Sequence, residues 1–195
     1  MAVINRMPGT RSRVMSETLG SPAVGTNTAI HAAVTDNGAP QVITTAITNP
    51  DVPRNVTATT GGTNTDVKAI QVIVTGTNAY GDVITETLPA FTVDTTGTVV
   101  GSKAFKTVTS ITIPAHDGTG ATTAIGTGVG GSGNINAKLG IPVKLDRDTI
   151  VAGFLNGVRE STRPVIAFSS TAVESNTVYL ASALNGTPVI VDYYT

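Results

Sequence analysis

Short runs of Val, Ile and Thr recur along the whole chain, and each is cut off by Gly, Asn, Asp or Pro. β-Branched side chains are stiff at χ1 and fit a pleated surface, while the interrupting residues favour turns. Pro8, Gly9, Gly20, Pro22 and Gly25 forbid a long helix across the start. The pattern therefore predicts an all-β protein built from many short strands. Hydrophobic residues make up 40% of the 195 residues, enough for a core and too many for wholesale disorder. Aromatics are only 4% and Trp is absent, so that core must come from Val, Ile, Leu and Ala, each burying less surface than Phe or Trp. Oligomerisation or docking on a partner would add the buried area such a core lacks.

The formal net charge of −1 gives no basic field for nucleic acid. The absence of cysteine removes disulfides and thiolate metal sites. No stretch reaches the roughly 18 apolar residues of a membrane span, and the first residues lack the basic and apolar regions of a signal peptide. Assembly in the cytoplasm of the producing cell is the expectation. Asn55-Val56-Thr57 and Asn185-Gly186-Thr187 match the glycosylation pattern only by chance on that view.

Three regions are expected. Residues 1–50 carry Arg6, Arg11 and Arg13 and much punctuation, and read as an extended N-terminal arm, with a β run over 41–48. Residues 51–128 alternate regularly. Asn55 to Thr60 is one strand, and Lys68 to Thr75 and Asp82 to Leu88 flank a Gly/Asn loop as a β-hairpin. Glu86 interrupts the stripe of Ile84 and Leu88, which places it at a sheet edge or a polar contact. Ala104 to Pro114 puts Phe105, Thr107, Thr109, Ile111 and Ile113 on one side, and Thr122 to Ile125 closes the unit. Several short strands spaced by turns suggest an immunoglobulin-like β-sandwich without disulfides. Residues 129–195 form a second, smaller β region, with strands expected over 141–145, 149–155, 164–168, 177–180 and 188–194 and turns at Asn156-Gly157 and Asn185-Gly186.

Candidate chemistry is sparse. Gly126, Gly128 and Gly131, and again Gly128, Gly130 and Gly133, match the spacing of a dinucleotide loop, but no helix follows to aim its N-terminus at a pyrophosphate. His116-Asp117 is the nearest thing to a catalytic pair, yet neighbours in a strand do not point at each other and no nucleophile elbow is present. His31 stands alone. Asp146-Arg147-Asp148 offers too few oxygens for Ca²⁺. No enzyme, cofactor or metal is expected. The residues singled out for a partner interface are Arg6, Arg11 and Arg13 in the arm, with Arg159 and Arg163 after the Asn156-Gly157 turn, because guanidinium forks suit carboxylates on another surface. Tyr179, Tyr193 and Tyr194 divide between interface and sheet packing.

Gly101 to Val108, Lys138 to Pro142, Phe154 to Glu160, Glu174 to Thr177 and Ala183 to Pro188 resemble segments of small virion proteins of tailed bacteriophages, and Val74 to Thr87 is similar to their β-hairpin. The likeness covers roughly residues 50 to 195. It implies a capsid decoration, or cement, protein: a non-enzymatic structural component on the capsid exterior of the virion. Such a protein would bind the major capsid protein and bridge its subunits, as a homo-oligomer for which a trimer is the expected form. Many weak contacts in a symmetric array give avidity without tight single-site binding. The competing expectations are a tail-tube, tail-terminator or head–tail joining protein, and after those a host-binding fibre module.

Overall fold

The computed structural model describes residues 13–128 and 136–194. They form β1 (Val14–Thr18), β2 (His31–Thr35), β3 (Gln41–Ile43), β4 (Arg54–Gly62), β5 (Ile73–Thr77), β6 (Val83–Thr87), β7 (Thr98–Phe105) and β8 (Thr107–Ile113). After these come β9 (Ala121–Gly126), β10 (Leu139–Gly140), β11 (Ile150–Leu155), β12 (Val158–Arg159), β13 (Val165–Ala167), β14 (Thr177–Tyr179) and β15 (Val189–Tyr194). Helix among the described residues is limited to short 3-10 turns such as Asn64–Asp66 and Val173–Ser175. The protein is all-β, and every strand pairing is antiparallel.

β4 organises the molecule. One of its edges pairs with β7; the other is shared by β9, along Thr57 to Gly62, and β10, at Arg54. Its side chains are buried on both faces, which is why a strand of Asn and Thr needs a partner for each polar group. Through β10 the same sheet continues to β14 and β13, with β2 beyond β9 at the far end. Pairing of β4 with β10 thus joins residues 51–128 to residues 136–194 by backbone hydrogen bonds.

A second sheet runs β3-β8-β5-β6 and a third β1-β15-β11-β12. Two cores result. One takes Val56, Ala58, Phe105 and Ile125 from the β4 sheet and Val74, Ile84, Val108 and Ile111 from the β5–β8 sheet. The other takes Leu139 and Val178 from the β4 sheet with Ile150, Val189, Val191 and Tyr193 from the third sheet. At about 25 cal/mol per Å² of buried apolar surface, packing between layers is the main favourable contribution.

The expected arm is corrected over residues 13–50. β1 lies along β15, β2 along β9 and β3 along β8, so this segment supplies edge strands to all three of the chain's own sheets. Leu19 enters one core and Ile30 the other. The physical reason is that open sheet edges carry unpaired N–H and C=O groups, which an extended segment satisfies without large apolar side chains. The β run expected over 41–48 ends at Ile43, and Ala46 has a positive φ of 55°.

Two other readings change. No strand covers 141–145: Ile141 and Leu145 are buried, but their N–H groups bond to the carbonyl and side chain of Asn176. Along β8 a register shift opposite Thr75 and Gly76 moves Val108 to the core side and leaves Thr109 exposed. Strict alternation would have placed Thr109 with Ile111 and Ile113; a β-bulge breaks it. The expected hairpin is present with its first strand shifted: β5 covers Ile73–Thr77 and not 68–75, so Gly76 and Thr77 belong to the strand. The loop is closed by Asn78, whose Oδ1 accepts the N–H groups of Tyr80 and Asp82.

Candidate functional site

The residues expected to carry a partner interface separate into distinct groups. Arg6 and Arg11 lie outside the described residues. Arg13 is exposed immediately before β1. Arg159 and Arg163 come together on the walls of a cleft of about 530 Å³, with Val151, Ala152, Gly153, Glu160 and Ser161. The tight turn over Asn156 and Gly157, with φ of 51° and 75°, folds β12 back on β11 and sets Arg159 opposite Phe154. Positive φ at both central residues is what a two-residue hairpin of this hand requires.

The two arginines are not equivalent. Arg163 forms an ion pair with Asp148, and its Nε donates to the carbonyl of Ile150 at 2.8 Å. Glu160 does not pair with Arg159; its Oε2 accepts the Ser182 N–H at 2.8 Å. Arg159 therefore presents a guanidinium outside any ion pair among the described residues, while Arg163 is held to its own fold. Of the tyrosines, Tyr193 is buried and Tyr194 exposed, as alternation on the last strand demands.

The remaining polar candidates are occupied structurally. His116 is buried between Lys68 N–H, which donates to Nδ1 at 3.1 Å, and Thr123 Oγ1, 3.1 Å from Nε2. Its ring lies 6.1 Å from that of Phe91. Burial pushes the imidazole pKa down, opposed by the charge of Asp36. Asp117 turns to Lys68 at 3.0 Å and makes no pair with His116. His31 Nδ1 lies 2.8 Å from the Ala32 carbonyl oxygen. Asp146 faces Arg147 whereas Asp148 faces Arg163, and no group of three metal-ligating side chains exists among the described residues.

Gly126 ends β9, and Gly128 donates its N–H to Thr57 Oγ1 at 3.1 Å. The other glycines of the dinucleotide-like spacing, Gly130, Gly131 and Gly133, lie outside the described residues. Asn55 is fully buried: its Oδ1 accepts Lys138 N–H at 2.8 Å and its Nδ2 donates to Asn136 O at 3.0 Å, a use that excludes a glycan on the folded chain. Asn185 Oδ1 accepts from Thr187 at both N–H and hydroxyl.

Three polar residues hold the framework, and sequence reasoning passed over two of them, Arg54 and Asn176. Arg54 is 1% exposed, and its Nη atoms donate to Ala23 O, Asp51 Oδ1 and Thr127 O. Burial lowers the Arg54 pKa against the pull of Asp51. Asn176 receives Leu145 and Ser169 N–H groups and donates to the carbonyls of Ser169 and Ala172. Glu86, at the edge and in a polar contact as its position in the stripe suggested, takes the N–H and hydroxyl of Ser102 at 2.6 and 2.8 Å. The Asp51-x-x-Arg54 spacing was the one available signal for Arg54; nothing in the residues around Asn176 marks the Leu145 N–H that its side chain accepts.

Several large apolar side chains also face outward, most of them on edge strands. Val14 and Met15 on β1, Val42 on β3, Val83 on β6, Val158 on β12 and Tyr194 on β15 are all exposed. No known protein family, curated protein or solved structure matches the chain.

Proposed function

We propose that this chain is a structural virion protein of the capsid decoration type, binding the outer capsid surface and bridging major capsid subunits to stabilise the head. The observation that carries the reading is the division of labour among its polar groups. His116, Asp117, Asp148 and Arg163 hold the fold, whereas Arg159 and the apolar side chains of edge strands face outward. Such a surface acts by adhesion. The two layers that enclose the core around Phe105 and Ile111 support the finer reading of residues 51–128 as an immunoglobulin-like sandwich. The resemblance of Gly101 to Val108 and of Phe154 to Glu160 to phage virion segments points to the same role.

On this reading Arg159 is the anchoring cation, because a guanidinium outside an intramolecular pair loses no existing contact when it meets a carboxylate. The partner is the major capsid protein, and the chain carries no cofactor and turns over no substrate. Cryo-electron microscopy of purified particles tests the assignment: copies distributed over the head surface support it. A single ring at the neck, or a stacked array along a tail, replaces it with the joining or tube role.

A further inference from the structure

We infer that β1 is a self-complementary docking edge, and that two copies of this chain pair β1 against β1 in antiparallel register about Met15. The inference concerns the chain's association with itself and stands or falls separately from binding to a capsid.

Each other outer strand is guarded in a recognisable way. β12 has two residues, and β3 and β13 have three. β2 is bulged between His31 and Val34. β7, which among the described strands pairs only with β4, is bulged against Asn55 and Thr57 and has its Ser102 and Lys103 N–H groups taken by Glu86. On β6 the Thr85 carbonyl is taken by Lys103 Nζ at 2.9 Å, and Glu86 is gripped by the neighbouring β7. Shortness, bulges and lysines are the usual means of keeping a sheet edge from pairing with another chain.

β1 has none of these protections. It is five residues long, pairs in continuous register with β15 from Val14↔Tyr194 to Thr18↔Ile190, and among the described residues nothing pairs with its other edge. Its large side chains face both ways into solvent: Val14 is 50% exposed and Met15 45%. Leu19 directs its N–H into the sheet, to Val189 O at 2.9 Å. Alternation then turns the N–H and C=O groups of Thr18, Ser16 and Val14 to the open side.

The sequence of this edge selects the occupant. Arg13, Met15 and Glu17 share one face of the strand, and neither charge is in an ion pair among the described residues. An antiparallel copy centred on Met15 places Arg13 opposite the partner's Glu17, Met15 opposite the partner's Met15, and Val14 opposite the partner's Ser16. The last is a hydrogen-bonded pair, using the outward groups of both strands. Two opposite-charge cross-strand pairs thus flank an apolar centre, and the four-stranded sheets of two copies become continuous across a two-fold axis. A closed trimer cannot be made with this isologous contact.

Sedimentation equilibrium on the full chain is the first test, and a concentration-dependent mass of twice the 19.8 kDa chain is expected. Arg13→Glu and Glu17→Arg should each weaken the dimer by about tenfold or more, because each sets two like-charge pairs across the strands. R13E/E17R should restore association, with circular dichroism showing that all three variants keep their strands. The chain has no cysteine, so Met15→Cys introduces a unique thiol. Directly opposed Cα atoms about 4.5 Å apart lie within disulfide reach, and M15C should cross-link under copper–phenanthroline while Ser16→Cys cross-links poorly. A monomer at every concentration, a trimeric mass, a double variant no tighter than the single ones, or cross-linking through S16C in preference to M15C would each overturn the proposal.

Discussion

Arg54 Nη1 sits 3.2 Å from Asp51 Oδ1, and the same guanidinium reaches the carbonyls of Ala23 and Thr127. Asp51 in turn accepts the Ala23 N–H at 2.6 Å. One buried cation therefore pins the N-terminal segment, the start of β4 and the end of β9 to each other. A buried charge without its counter-ion is costly, and its remaining partners are neutral carbonyls.

Removing Asp51 alone should destabilise the protein more than removing the whole pair would suggest. Asp51→Ala leaves Arg54 charged in a buried site and is expected to cost about 2–4 kcal/mol. R54M/D51A replaces the charge by an apolar side chain of similar length and should cost less than the sum of the single changes. Denaturant unfolding of the three variants gives the coupling; strict additivity would show that the two side chains act independently.

Asn176 should tolerate almost nothing. Its amide nitrogen faces the carbonyls of Ser169 and Ala172, each at 2.9 Å, while its oxygen takes two backbone N–H groups. Asn176→Asp conserves shape but turns an acceptor toward those two carbonyls, and is expected to cost about 3 kcal/mol or more. Hydrogen exchange should report it first at Leu145 and Ser169, whose amides bond to this side chain. Protection unchanged at both would contradict the assignment of Asn176 as the clasp of the segment after β10.

His116 should make stability fall on acidification. With Lys68 N–H donating to Nδ1, the ring is neutral and carries its proton on Nε2, toward Thr123. Burial holds the folded pKa below the ordinary value, so as pH falls the unfolded chain takes up the proton first. The contribution is fully present above the unfolded pKa of about 6.5 and is lost as pH falls from there through the depressed folded value. Unfolding midpoints of the wild type and of His116→Gln between pH 8 and pH 5 should converge toward the acid end. A constant separation would show that the ring's protonation is not linked to folding.

Legibility in the sequence followed the range of the forces involved. β4, β9, β11 and β15, and the hairpin of β5 and β6, were readable because alternation and turn chemistry are local; Asn156 and Gly157 adopt the positive φ their identities favour. The placement of residues 13–50 was not, since a strand with few apolar residues is positioned by whichever edge needs its backbone groups. Residues 141–145 misled because Ile141 and Leu145 are core side chains whose backbone bonds go to one asparagine. For the interface candidates, residue type gave Arg159 and Arg163 alike, and the contacts of Arg163 with Asp148 and the Ile150 carbonyl separate them. The bulge in β8 left no mark in residue type at Thr109, yet it has a counterpart across the sheet at Gly76.

That counterpart supplies the sharpest packing test. A Cβ built on Gly76 would stand 1.9 Å from Thr107 O and 3.0 Å from the Phe105 ring, in the stretch where β5 and β8 change register. Its φ is not in the left-handed region, so the requirement is for space and not for backbone freedom. The obstructing atom is a backbone carbonyl, which cannot rotate aside as a side chain can. Gly76→Ala must therefore push β8 away from β5 or lose the bulge, and losing the bulge would turn Val108 out of the core and Thr109 into it. A cost of about 2–4 kcal/mol is expected from overpacking and displaced strand pairing. Gly81→Ala, in the loop of the same hairpin at a φ of 91° with nothing near its would-be Cβ, should cost only about 1 kcal/mol. Thermal unfolding of the two variants side by side reads the difference; equal losses would mean that backbone conformation, not the approach of β8, is what demands glycine in this hairpin.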